Sequence, residues 1–121
     1  MRTLLDANAA LRYLLEDLPE QAEIVAQAIA DGAEITPEVI AEVVYVLDGV
    51  YSVPRSRAAE SLELLLGEVH CARGAVVSAA LGYYVGSKLD FVDCLMAAEH
   101  SLTGRPVLTF DDGLRELLAR E

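Results

Sequence analysis

Three prolines, Pro19, Pro37 and Pro54, each open a helical pattern, and this punctuation narrows the folds open to the chain more than any other feature. Proline gives up no hydrogen bond at a first helical position, and its fixed φ already suits a helix. Pro19 begins "PEQAEIVAQAIADG", which Gly32 stops. Thr36 caps the helix that Pro37 begins, "PEVIAEVVYVLDGV", and Ser52 with Pro54 repeats the start signal for "RSRAAESLELLLG". Residues 8–16, "GAVVSAALGYYVG", residues 90–102 and "DGLRELLARE" supply four more helices, with Gly104 ending the one before last. Short apolar runs fill the spaces between: residues 2–5, 33–35 and 69–71, and "RPVLTF", each read as a strand.

Strands that alternate with helices predict an α/β fold, with a parallel sheet covered by helices on both faces. At 121 residues the chain is expected to form a single domain, 1–121. Its 54% hydrophobic content excludes disorder. No stretch reaches the ~18 apolar residues of a membrane span. No signal-peptide pattern precedes Asp6, so a cytoplasmic protein is expected. Cys71 and Cys94 fit no C-x-x-C spacing and are read as small buried apolar residues. The net charge is -11, which argues against an open basic surface for nucleic acid. "SLELLLG" and "ALGYYVG" are apolar enough for either ordinary burial or dimerisation.

In open parallel sheets, ligands gather beyond the carboxyl ends of the strands. "TLLD" brings Asp6 to that edge and "VLTFD" brings Asp111. Each also reads as a helix cap, with Asn8 and Asp112 as competing caps. Glu42 is the only charge in "VIAEVVYVL". It belongs either to a solvated stripe with Glu38 and Tyr45 or to the lip of a cleft. Asp90 suits an N-cap, whereas Asp93 lies inside its helix, where Asp is a poor helix former. His100 is about 10 Å along that helix from Asp93, too far to share an ion. If Asp6, Glu42, Asp93 and Asp111 converge, their repulsion calls for divalent cations. An all-oxygen set selects hard ions, Mg²⁺ or Mn²⁺, which suit phosphodiester hydrolysis. No Ser–His or Cys–His partnership suggests covalent catalysis.

Four stretches together resemble the PIN-domain ribonucleases, in particular the VapC-type toxins of bacterial toxin–antitoxin modules. "LLDANAALRYLLEDLPEQ" is similar to the family's opening segment, with its first acid at Asp6 and a polar companion at Asn8. "ITPEVIAEVVYVLDGVY" is similar to the second motif and places Glu42. "KLDFVDCLMAAEHS" matches the third, with Asp93 and the accessory Asp90, and "VLTFDDGL" the fourth, with Thr109 and Asp111. The resemblance implies a three-layer α/β/α sandwich around a central parallel sheet of four to five strands. It also implies Mg²⁺-dependent cleavage of RNA, a homodimer, and a cognate antitoxin that places an Arg in the acidic groove. A catalytically silent interaction module on the same fold is the alternative. A phosphoryl-accepting receiver domain fits less well. It needs an Asp after the third strand, where "VHCARG" has none, and a Lys beyond a late strand, whereas Lys88 precedes a helix.

Overall fold

Helix starts follow the capping chemistry written in the sequence. A computed structural model describes residues 1–120. Among them are seven α-helices: α1 (Ala7–Leu15), α2 (Pro19–Ala30), α3 (Pro37–Gly49), α4 (Arg55–Leu66), α5 (Gly74–Val85), α6 (Phe91–Thr103) and α7 (Asp112–Arg120). Asp6 holds an extended backbone and its Oδ1 accepts the Ala9 N–H at 2.7 Å. Thr36 Oγ1 accepts from Val39 N–H at 3.2 Å, and Pro19 and Pro37 take the first positions of α2 and α3. α6 ends at Gly104, whose φ of 76° is left-handed and whose N–H donates to the His100 carbonyl.

The expected α/β/α sandwich around a central parallel sheet does not form. Among the described residues the only β pairing is two isolated parallel bridges, Leu4 with Glu34 and Glu34 with His70. Glu34 donates its N–H to the Thr3 carbonyl and accepts from Leu5 N–H, both at 2.8 Å. Ile35 N–H donates to the His70 carbonyl at 2.9 Å, and His70 N–H to the Ala33 carbonyl at 3.0 Å. The order 4–34–70 is parallel, as expected, but each contact is one residue deep. Helix ends clip the strands from both sides. Asp6 caps α1 one residue past Leu5, while between α2 and α3 only residues 33–35 lie between Gly32 and the Thr36 cap. Val69 N–H still donates back to the Leu65 carbonyl, and Arg73 turns the chain at φ 57°.

The expected fourth strand, "RPVLTF", does not form: among the described residues no bridge reaches it. Side chains claim its backbone instead. Thr103 Oγ1 accepts from Arg105 N–H, Thr109 Oγ1 from Asp111 N–H, and Arg115 Nε donates to the Thr109 carbonyl. Pro106 has no N–H to offer a ladder. Leu108 and Phe110 are therefore left exposed, with the Arg115 guanidinium 5.7 Å from the Phe110 ring centroid.

The chain divides into two compact units, Met1–Gly74 and the residues from Ala75 on. In the first, α1 packs on α2 and α3, and α3 on α4. Ile35, Ile40 and Leu62 are fully buried. Arg12 pins the end of α1, with Nη1 2.7 Å from Asp17 and Nη2 3.3 Å from the Tyr51 hydroxyl. In "SLELLLG", Leu62 and Leu65 are buried while Leu64 is exposed. In the second unit, α6 packs on α7 around Ala97, Leu114 and Leu117, and Tyr84 meets Phe91 edge to face. Cys94 is buried as expected, but Cys71 is only half-buried. Burial first, then Glu34 and Glu38, push the Cys71 thiol above its ordinary range, against Arg73. Among the described residues no helix is long and apolar enough to cross a membrane.

The two kinds of glycine give opposite expectations. Gly104→Ala forces a Cβ into a left-handed residue and is expected to cost about 1–2 kcal/mol. Gly82 lies within α5, where an added Cβ meets nothing within 4 Å, so Gly82→Ala is expected to stabilise by about 0.4–1 kcal/mol. Urea unfolding of both variants checks the signs.

Candidate metal centre

Three of the carboxylates singled out in the sequence interact within the second unit. Asp90 is the N-cap of α6, and its Oδ1 accepts the Asp93 N–H at 2.9 Å. Asp93 therefore stands in the first turn of α6, where the helix dipole favours a negative charge and offsets the poor helix propensity of Asp. Asp111 plays the same part for α7: its Oδ1 accepts the Leu114 N–H at 2.8 Å. Thr109 fixes that turn by accepting the Asp111 N–H at 3.1 Å. Asp111, not Asp112, is thus the capping acid, and Asp112 is the first residue of the helix.

The electrostatics mark Asp93. Its carboxyl is pushed above the usual aspartate range, first by burial and then by repulsion from Asp90 and Asp111. No cation is among the causes. Asp90 and Asp111 each commit Oδ1 to a backbone N–H, and Oδ2 of either carries no hydrogen bond among the described residues. Gly113 completes this arrangement. A Cβ there would come within 3.0 Å of a Leu89 methyl and 3.3 Å of Asp111 Oδ1, so any larger residue would crowd the Asp111 carboxylate.

The first unit carries the other named acids. Asp6 caps α1 through Oδ1 and is exposed. Asn8 is the second residue of α1, also exposed, and is not the cap. Glu42 is exposed on α3 together with Glu38 and Tyr45, the solvated stripe weighed from the sequence. His100 lies apart from the acids' chemistry, its Nδ1 2.7 Å from the Arg105 carbonyl.

The chain's family follows from a match over almost its whole length: residues 3–118 match the PIN domain. The chain belongs to the PIN domain family. No match is found among curated proteins or among solved structures. PIN domains are generally metal-dependent nucleases, which places this one among nuclease-type hydrolases and makes a divalent metal the expected cofactor.

Whether the residues suit such an ion rests on donor chemistry. Among the described residues no three His, Cys, Asp or Glu side chains form a metal-holding group. Mg²⁺ does not require one, because it commonly takes one or two carboxylates and keeps several waters. Asp93, whose carboxyl Asp111 repels, and Asp111 itself are oxygen donors of the kind that requirement names.

Sequence reasoning missed two features here. Gly113 lay hidden because its role is a close approach in space. A hollow of about 360 Å³ in the second unit is lined by Asp111 together with Lys88, Glu116 and Arg120. Its signal was the basic residue two positions before Asp90 and the alternating charges of "RELLAR".

A raised carboxyl has a definite sign for stability. From the ordinary aspartate value upward, folded metal-free protein holds more proton at Asp93 than unfolded protein does, so this group's contribution falls as pH rises. Asn at this position does not titrate. The stability of Asp93→Asn relative to the parent is therefore expected to grow between about pH 4 and pH 7. Thermal unfolding in the presence of a chelator checks it, and a gap that shrinks with pH would contradict the assignment.

Proposed function

We propose that this PIN domain is a Mg²⁺-dependent endoribonuclease that hydrolyses RNA phosphodiester bonds as the toxin of a toxin–antitoxin pair. The observation that carries the reading is the match of residues 3–118 to the PIN domain, together with the Asp93 carboxyl that burial, Asp90 and Asp111 push upward. Asp93 and Asp111 would hold the ion. Asp6 and Glu42 are assigned the other acid positions on motif resemblance, with Asn8 and Thr109 as polar companions and Asp90 as accessory acid. When bound, the ion supplies Lewis acidity and an activated water for in-line attack on phosphorus.

The chain's own residues prepare that chemistry. Backbone N–H groups at the starts of α6 and α7 fix the Asp90 and Asp111 carboxylates in one orientation. Fixed donors avoid reorganisation when charge develops. Thr109 and Gly113 hold the Asp111 turn from either side. An acidic, preorganised site is also a natural receptor for a guanidinium, which supports an antitoxin that inserts an Arg. A homodimer and a cytoplasmic setting complete the proposal.

The silent interaction module is the second reading, and one observation favours it. Asp6, Asp90 and Asp111 each cap a helix, so each has a structural reason to be present. Activity separates the two. Asp93→Asn and Asp6→Asn are expected to lower Mg²⁺-dependent cleavage of an RNA oligonucleotide by more than the ~10–100-fold typical of lost outer ligand partners. Millimolar Mg²⁺ or Mn²⁺ is expected to raise the melting midpoint of the parent and to do so less for Asp93→Asn. Parent protein that neither cleaves RNA nor responds to metal would favour the silent module.

A further inference from the structure

We infer that the hollow beside Asp111 is a subsite for a substrate phosphate neighbouring the scissile one, with Lys88 and Arg120 as its cationic walls; this rests on the nuclease reading above. The hollow measures about 360 Å³ and is open to solvent. That is near the lower end of the ~300–1,000 Å³ of small-ligand sites, sufficient for one phosphate with its sugar. Its position is informative. It shares Asp111 with the carboxylate cluster, so a ligand lying across both must present negative groups at short, regular intervals. A nucleic-acid backbone does so.

Charge gives the second argument. The whole chain carries -11, yet around this hollow, among the described residues, Lys88 and Arg120 stand against Asp111 and Glu116. A divalent ion held by Asp111 would shift that balance toward positive. Cation and phosphate then strengthen each other's binding, and the linkage is reciprocal. The arrangement confines attraction for RNA to the neighbourhood of the reacting centre and leaves the remaining acidic surface repulsive. Gly113 and Ser87 also line it.

Fluorescence anisotropy with a labelled, uncleavable 2′-O-methyl single-stranded RNA oligonucleotide tests this on the full chain, across a salt series, with Mg²⁺ and with chelator. Lys88→Gln and Arg120→Gln are each expected to weaken binding about 5–10-fold, alike for all sequences, and to flatten the salt dependence by about 0.7 per lost phosphate contact. Glu116→Gln is expected to tighten binding, an effect that misfolding does not produce. In the cleaving enzyme the two cation variants should raise KM by more than they lower kcat. Parent-like affinity and salt slope in Lys88→Gln and Arg120→Gln would overturn the subsite even where cleavage persists. Binding by the cation variants that falls only for an acidic peptide would overturn it in favour of a protein partner. Absence of any RNA binding or cleavage by the parent would overturn the nuclease reading and the subsite together.

Discussion

The hydrogen bond that a helix's first free N–H groups donate to a carboxylate oxygen governs this structure. Asp6, Asp90 and Asp111 each make it, at 2.7, 2.9 and 2.8 Å. Such a cap is worth about 1 kcal/mol. Its larger effect is positional. One oxygen is tied to the backbone, so the other is held in a defined direction on a rigid element. The nuclease proposed above would thus draw stability and chemistry from the same carboxylates.

The same bond explains what formed in place of a sheet. A strand lengthens only while its residues remain free to pair, and here caps and C-terminal turns take them. Among the described residues Glu34 alone is bridged on both sides, because Gly32 and Thr36 on either flank belong to helix ends. At residues 105–110, Thr103, Thr109 and Arg115 satisfy backbone groups that a ladder would otherwise use. Hydroxyl and guanidinium side chains compete locally with pairing, and local competitors incur no loop-closure entropy.

Much of this was legible in the sequence because capping is a short-range code. Pro19, Pro37, Thr36, Asp90 and Gly104 marked helix ends to within a residue or two. Apolar runs such as residues 2–5 carried no equivalent signal, since a single bridge and a full strand draw on the same residue types. The candidate site divided in the same way. Asp90 as a cap was readable from spacing, whereas the cap at Asp111 over Asp112 depended on which oxygen met the Leu114 N–H. The influence of Asp111 on Asp93 spans eighteen residues of chain and has no local trace. Neither has the room that Gly113 leaves.

The two bridges also bear on how the first unit assembles. They join residue 4 to 34 and 34 to 70, closing loops of nearly equal length, and each loop encloses two helices. Closure entropy rises only with the logarithm of length, so neither loop is favoured by size. Each bridge ties together the two ends of one helical pair, and Glu34, common to both, is the residue at which the two pairs are joined.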